Sequence, residues 1–355
     1  MVKTKSRVPT TRVVCADQNG CMSDTAAWSR VDLTLPARQP FDGAGVMRFL
    51  AVHAVKGVET YSAGTYRRTL RLPQGRAVVA VRLAAPSPSA EPAGPVSPAG
   101  IECTLWLEHG ADVAEAEVRL AGLFDVQADA QAIDGVLGRV AELRGSLAAA
   151  PGIRVPGSVD AHETLFRTLI GQQVSVTAAR TVQGRLAAAL GDELTLGGTP
   201  SVGDEPSVDA GQLAPGVWRF FPTAEQFAAG GAAELRGPPR RVQTILEVAE
   251  ALAEGRLVID ASSTDATLTQ TELTERLVAM PGIGPWTAGY VAMRVLGAPD
   301  ALLDGDLALR AGAAELGLPG ERRELVRFAE RVAPWRSYFG MHLWREAVAR
   351  LAAGT

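Results

Sequence analysis

Residues 41–54, FDGAGVMRFLAVHA, carry Val46, Phe49, Leu50 and His53 at three- and four-residue spacing, which predicts an amphipathic helix with one packed face. Alternating stretches follow. TYRRTLRL, AVVAVRL and IECTLWLE are short, and Pro73, Gly75, Pro86 and Gly100 separate them as turn residues. They predict an antiparallel sheet with one wet face, so residues 26–124 read as an α+β domain. From about Asp125 the period becomes that of helices, through DAQAIDGVLGRVAELRGSLAAA, DAHETLFRTLIGQQVSVTAARTVQGRLAAALG, AEQFAAG, RRVQTILEVAEALAEG and the segments after Thr271. No strand-like alternation intervenes, and residues 125–355 read as an all-α domain. Two polar, Pro- or Gly-rich stretches interrupt the pattern. Residues 86–100 are expected to be a disordered surface loop and residues 191–216 a loop insertion between helices. Residues 1–25 lack patterning and read as a disordered extension, with Met22 an alternative start.

Composition changes this picture little. A chain of 355 residues, 47% hydrophobic, can bury a sizeable core. The formal charge of −4 argues against a generally basic surface, but nucleic-acid binding needs only a local cationic face. Lysine occurs only at positions 3, 5 and 56, so cationic contacts fall to arginine, the better bidentate phosphate ligand. A proteome-wide bias explains that imbalance equally well. Cys15, Cys21 and Cys103 are too few for a four-thiolate zinc or iron-sulfur site, and their odd number argues against a disulfide framework. A reducing cytoplasm fits them. No apolar run is long enough for a transmembrane helix, and Met1 to Arg12 lack the apolar centre of a secretory signal. His53, His109, His162 and His342 lie on separate segments without metal spacing, so structural or phosphate-neighbour roles are expected and no catalytic metal.

The chemistry concentrates in LTERLVAMPGIGPWTAGYVAMRVLGAPDALLDGD, from Leu273 to Asp306. A patterned helix stops at Pro281, Gly282-Ile283-Gly284 makes a turn, and Pro285 sits where a new helix tolerates a residue without an N–H. Two helices joined by a tight glycine hairpin result, spanning about 273–298. The free N–H groups at the start of the second helix form an anion site that a DNA phosphate would fit. Ile283 is expected to be buried between the helices. Beyond the second helix stand three aspartates, Asp300, Asp304 and Asp306.

This segment resembles the helix-hairpin-helix and following catalytic loop of DNA glycosylases, and is similar to that of the bacterial 3-methyladenine DNA glycosylase II family, the AlkA type. The resemblance runs from about Val31 to Ala349, with the two polar stretches as insertions. GVMRFLAVHAVKGVET, RVPGSVDAHETLFRTLIGQQVSV, FPTAEQFAAG and WRSYFGMHLW carry it outside the hairpin. It implies a TATA-binding-protein-like α+β domain followed by two helical subdomains facing each other across a cleft. It also implies a monofunctional glycosylase that flips an alkylated purine of the 3-methyladenine or 7-methylguanine type out of duplex DNA and leaves an abasic site.

By the same resemblance Asp306 is the catalytic carboxylate, preferred over Asp300 and Asp304 by its distance from the hairpin. Trp286, Tyr290, Trp344 and Phe49 form the base pocket, where electron-rich rings favour a cationic base. Gly282, Ile283, Gly284, Thr287, Gln172 and Gln173 contact DNA, with Gln173 in the wedge position that relatives can fill with leucine. Leu307 stands where a relative can place tyrosine. The tryptophan at 286 replaces the lysine that lyase members of the superfamily use, so no Schiff base is expected. Hairpin carbonyls are allowed a monovalent cation, and no other cofactor is implied. A monomer acting in the cytoplasm, associated with the nucleoid when bound to DNA, is expected.

Blander readings stand beside these. Asp306 is equally placed to be the N-cap of LALRAGAAEL. Trp286 and Tyr290, one helical turn apart, have the spacing of two core aromatics, and Gln173 suits a surface helix cap. Arg240, Arg241 and Arg294 are candidate phosphate contacts. At the level of function, a DNA-damage recognition module without catalysis and a glycosylase for a neutral lesion are the rivals.

Overall fold

A computed structural model describes residues 28–85, 99–195, 215–260 and 268–353. The expectations for residues 1–25, Met22, Cys15 and Cys21, and for most of the two polar stretches, lie outside these residues.

Five strands form one antiparallel sheet in the order β1-β5-β4-β3-β2: β1 Ser29–Pro36, β2 Glu59–Ser62, β3 Thr65–Arg71, β4 Arg76–Leu83 and β5 Gly100–Leu107. The alternating stretches are β3, β4 and β5. The sheet also contains β1 and β2, which the periodicity did not single out. The register pairs Val31 with Leu105 and Leu105 with Val79, so the alternate residues Ile101, Cys103, Leu105 and Leu107 share one face with Val79, Val81, Tyr66 and Leu70. Helices α1 (Gly43–His53) and α2 (Val113–Leu123) pack on that face through Val46, Met47, Leu50, Ala116 and Leu120. The Asp42 side chain caps α1, accepting from the Gly45 N–H at 2.8 Å.

The other face is not simply wet. Its polar half carries Arg30, Asp32, Arg67, Arg82 and Glu102, but Val78 and Trp106 are covered by Leu194, Val217 and Phe220 of the helical region. The chain near Val217 makes isolated bridges, Gly57 to Val217 and Glu193 to Arg219, and thereby lays apolar side chains on the sheet. Alternation within a strand predicts solvent unless some distant segment comes to lie there.

The remaining helices are α3 Ala130–Leu137, α4 Arg144–Ala149, α5 Ala161–Gly171, α6 Val176–Leu190, α7 Ala224–Glu234, α8 Pro239–Ala253, α9 Gln270–Val278, α10 Pro285–Val295, α11 Leu307–Glu315, α12 Arg322–Ala329 and α13 Arg336–Ala353. They bury two cores. One joins α5 to α10 through Leu165, Phe166, Phe227, Val248, Leu277 and Val291. The other joins α3 to α11, α12 and α13 through Ile133, Leu137, Leu309, Leu325, Phe339 and Leu343. Helix α10 contributes to both, Val291 to the first and Met293 to the second. Helices α11 and α13 approach so closely that a Cβ on Gly312 would lie 1.8 Å from the Leu343 carbonyl oxygen. None of the described helices is long and apolar enough to cross a membrane.

A buried ionic cluster ties the sheet to α5. Arg68 bonds Glu163 at 2.6 Å and Glu59 at 3.3 Å, while Arg167 bonds both carboxylates at 2.9 Å. Burial pushes the Glu59 carboxyl up, but Arg167 and Arg68 outweigh it and hold the group below the usual range. Arg167 also donates to the His53 carbonyl at 2.7 Å, which fixes the end of α1 against α5.

Candidate active site

Helix α9 begins with a capping box, Thr269 and Glu272 exchanging side-chain and backbone bonds. It ends at Val278, and the Ile283 N–H donates to the Met280 carbonyl at 3.2 Å to close the hairpin. Gly282 stands at φ +82°, and a Cβ there would meet Thr244 Oγ1 at 2.0 Å, so only glycine fits both the backbone and the packing. Ile283 is buried in the α5–α10 core. With Pro285 at the first position of α10, the amides of Trp286 and Thr287 have no intrahelical acceptor and sit at the positive end of the helix dipole.

Gln172 and Gln173 occupy the turn between α5 and α6 but behave differently. Gln172 is drawn back to the hairpin: its Nε2 donates to Thr287 Oγ1 at 3.0 Å, and its carbonyl accepts from Arg241 at 2.7 Å. Gln173 is exposed, with φ +58°, and is free to project. Arg240, next in the chain to Arg241, is exposed.

A cavity of about 170 Å³ opens between α1, the α5–α6 turn and α10, lined by Phe49, His53, Val174, Trp286, Tyr290 and Arg294 among others. That volume is close to the ~150 Å³ cavity that accepts a benzene ring, which suits one flat heterocycle. Trp286 and Tyr290 stack with centroids 5.4 Å apart and planes within 9°. Trp344 meets Tyr290 edge-on at 6.4 Å. These rings serve both of the readings open to them: all three pack against the α11–α13 core, and Trp286 and Tyr290 also line the cavity. Trp344 and Asp306 border the cavity through those two rings rather than line it.

Asp306 is the N-cap of α11, Oδ1 accepting from the Leu309 N–H at 2.8 Å, and Oδ2 accepts from the Trp286 indole N–H at 3.0 Å. Capping and contact with the pocket therefore coexist. Its competitors are engaged elsewhere. Asp300 holds Arg336 through both oxygens, at 2.7 and 2.6 Å, and Asp304 holds Arg322 at 2.7 Å. Of the three, Asp306 alone has no arginine partner among the described residues. Leu307 beside it is 76% exposed.

Arg294 departs from the expected phosphate contact. Its guanidinium lies over the Phe49 ring at 4.7 Å and the Tyr290 ring at 5.5 Å, bonded to the Tyr290 hydroxyl at 2.6 Å and the Gly157 carbonyl at 2.8 Å. The apolar stems and rings around it draw this arginine inward. His53 was also missed as a pocket residue. Its four-residue spacing from Phe49, read only as a packed helix face, was the available signal. Of the other histidines, His342 is buried against Ser146 at 3.0 Å and His162 is 4.0 Å from Asp260. Among the described residues no three His, Cys, Asp or Glu side chains come together in a way that can hold a metal ion.

Residues 32–160 match the family model described as the AlkA N-terminal domain. Over 315 residues the chain is 32% identical to the Escherichia coli protein DNA-3-methyladenine glycosylase 2, covering 88% of this chain and 96% of that one. The chain belongs to the DNA-3-methyladenine glycosylase II family. It is also 40% identical over 323 residues to the Mycobacterium tuberculosis protein named probable bifunctional transcriptional activator/DNA repair enzyme AlkA. That match covers 91% of this chain but only 58% of the mycobacterial protein's length. Among solved structures, the 3-methyladenine DNA-glycosylase from Archaeoglobus fulgidus shares the fold with a TM-score of 0.66 at 18% identity, over 88% of this chain and 96% of that one. The Clostridium acetobutylicum 8-oxoguanine glycosylase/lyase shares it with a TM-score of 0.61 at 15% identity, over 93% and 100%. The AlkA-type fold of this chain thus brings a carboxylate with no arginine partner among the described residues, an indole and a ring-lined cavity to the end of its hairpin helix.

Proposed function

We propose that the chain is a monofunctional DNA glycosylase that extrudes alkylated purines of the 3-methyladenine or 7-methylguanine type from duplex DNA and hydrolyses their glycosidic bond. The observation that carries this reading is Asp306, free of arginine and held by the indole of a pocket residue. A purine nucleotide alkylated at N3 of adenine or N7 of guanine is cationic. When its bond to C1′ breaks, the electron pair passes to the ring, and the base leaves neutral without a proton from the enzyme. The sugar gains oxocarbenium character, which a facing carboxylate stabilises, and a water oxygen oriented by that carboxylate completes the bond to C1′. Loss of the water proton to solvent leaves an abasic site.

Ring faces of the cavity that Arg294 does not already cover favour the charged base, a desolvated cation on a ring being worth about 2 kcal/mol. Trp286 and Thr287 amides hold a phosphate, and Gln173 fills the gap left by the extruded nucleotide. An amine nucleophile is missing from this arrangement: Lys56, the only lysine among the described residues, is exposed beyond the end of α1. The hairpin's uncharged carbonyls suit a monovalent cation better than a transition metal, and we include that cation, a monomeric state and action in the cytoplasm at the nucleoid in the proposal. Single-turnover release of free base from a duplex with one 7-methylguanine, followed by strand analysis with and without alkali, tests it. Released base with breaks only after alkali is expected. Tight binding without release would favour a recognition module instead.

A further inference from the structure

His53 enters none of these steps, yet it lines the cavity beside Phe49. Its ring stacks on Phe49 with centroids 4.1 Å apart and planes at 26°. Nδ1 lies 2.8 Å from the Phe49 carbonyl oxygen one turn back. A carbonyl only accepts, so this bond places the imidazole proton on Nδ1. Burial pushes the ring's pKa down to about 4; Arg167 and Arg294 add to the fall, and the Phe49 carbonyl and Glu59 oppose it. The charged groups lining the cavity with it are Glu59 and Arg68 from the sheet, Asp160 before α5, Glu163 and Arg167 from α5, Arg180 from α6 and Arg294 from α10. A neutral ring with its proton on Nδ1 presents Nε2 as a bare acceptor.

Nothing among the described residues donates to Nε2. The cavity's carboxylates are engaged through at least one oxygen each. Glu59 and Glu163 are held by Arg68 and Arg167, and Asp160 caps α5 through the Glu163 N–H at 2.8 Å. Helix capping explains why Nδ1 is bonded but leaves Nε2 without a purpose. We propose that His53 is a specificity-determining residue whose Nε2 accepts a hydrogen bond from an exocyclic amino group of the extruded base. This rests on the glycosylase reading and narrows it to amino-bearing purines. A base with no amine would leave the acceptor desolvated and unpaired, which a polar site penalises strongly.

The test uses the full chain and two matched pairs of duplexes, each pair differing only by an amine: 7-methylguanine against 7-methylhypoxanthine, and 7-methyladenine against 7-methylpurine. Single-turnover release should favour the amine about tenfold in at least one pair. His53→Leu should erase that preference, and His53→Gln, whose amide oxygen accepts, should keep most of it. A preference left intact by His53→Leu in both pairs overturns the proposal. Release of no base at all by the wild type sinks the glycosylase reading itself, and this inference with it. Independently of any variant's folding, long-range ¹H–¹⁵N spectra of histidine-labelled wild type at neutral pH should show His53 protonated on Nδ1. A proton on Nε2 there would overturn the assignment.

Discussion

Replacing Asp306 by asparagine separates the helix cap that its carboxylate forms from the catalytic role proposed for it. Asparagine is as good an N-cap as aspartate, so the bond to the Leu309 N–H survives, and α11 should lose only a few tenths of a kcal/mol. The charge is lost. Asp306 is half-buried, so an effective dielectric of about 20 applies, and a sugar cation about 4 Å away interacts with the carboxylate by roughly 4 kcal/mol. That energy corresponds to about a thousandfold in rate. The amide also has one oxygen where the carboxylate has two, so it cannot accept from both Leu309 and the Trp286 indole without turning its own N–H₂ towards a donor. Single-turnover base release should fall about a thousandfold, with duplex affinity and thermal midpoint close to wild type. Asp306→Ala should lose the same rate and about 1 kcal/mol of stability besides. A rate for Asp306→Asn within tenfold of wild type would refute the reasoning, because the remaining cap is then all that the residue supplies.

Trp286→Phe removes the indole N–H from Asp306 while keeping a ring over Tyr290. Hydrogen bonds to charged groups are worth about 1.5–3 kcal/mol, so the single-turnover rate should fall ten- to a hundredfold at unchanged DNA affinity, and a rate within twofold would show the N–H to be idle. Gly282→Ala puts a side chain at φ +82° against Thr244, so the thermal midpoint should drop by the equivalent of about 1–3 kcal/mol and duplex binding should weaken in a filter or anisotropy assay; an unchanged melt would contradict the packing. His342, whose pKa burial and then Arg345 push down to about 4, stays neutral in the fold while the unfolded chain protonates near pH 6.5. Its contribution is therefore full above about pH 6.5 and lost as the pH falls to 4, about 3 kcal/mol in all. Asp125, pushed up to about 6 by burial, acts in the opposite sense, so the difference in melting profile between wild type and His342→Phe isolates the histidine, and parallel profiles would count against it.

The local punctuation of the chain was legible because it is set by neighbours in sequence. Pro281, Gly282 and Pro285 stop one helix, turn the chain and start another, and the structure follows with α9 ending at Val278 and α10 beginning at Pro285. The four-residue spacing of Trp286 and Tyr290 puts both rings on one helix face, where they stack. The same logic identified Asp306 as a cap. It could not decide among three aspartates on chemical grounds, because what disqualifies Asp300 and Asp304 is an arginine 36 or 18 residues further along.

Strand periodicity likewise showed β3, β4 and β5, but the dry half of the sheet's outer face depends on Val217 and Phe220 arriving from the helical region. His53 and Arg294 turned out to be pocket residues for the same reason. Phe49 and Tyr290, which Arg294 bridges, come from opposite ends of the chain. The sequence by itself determined the helical periods, the hairpin and the capping carboxylate, since each follows from interactions within a turn or two. Tertiary structure alone decided which charges are already paired, which histidine lines the cavity, and how the sheet and the helices meet around it, because burial and pairing belong to contacts between segments with no local signature.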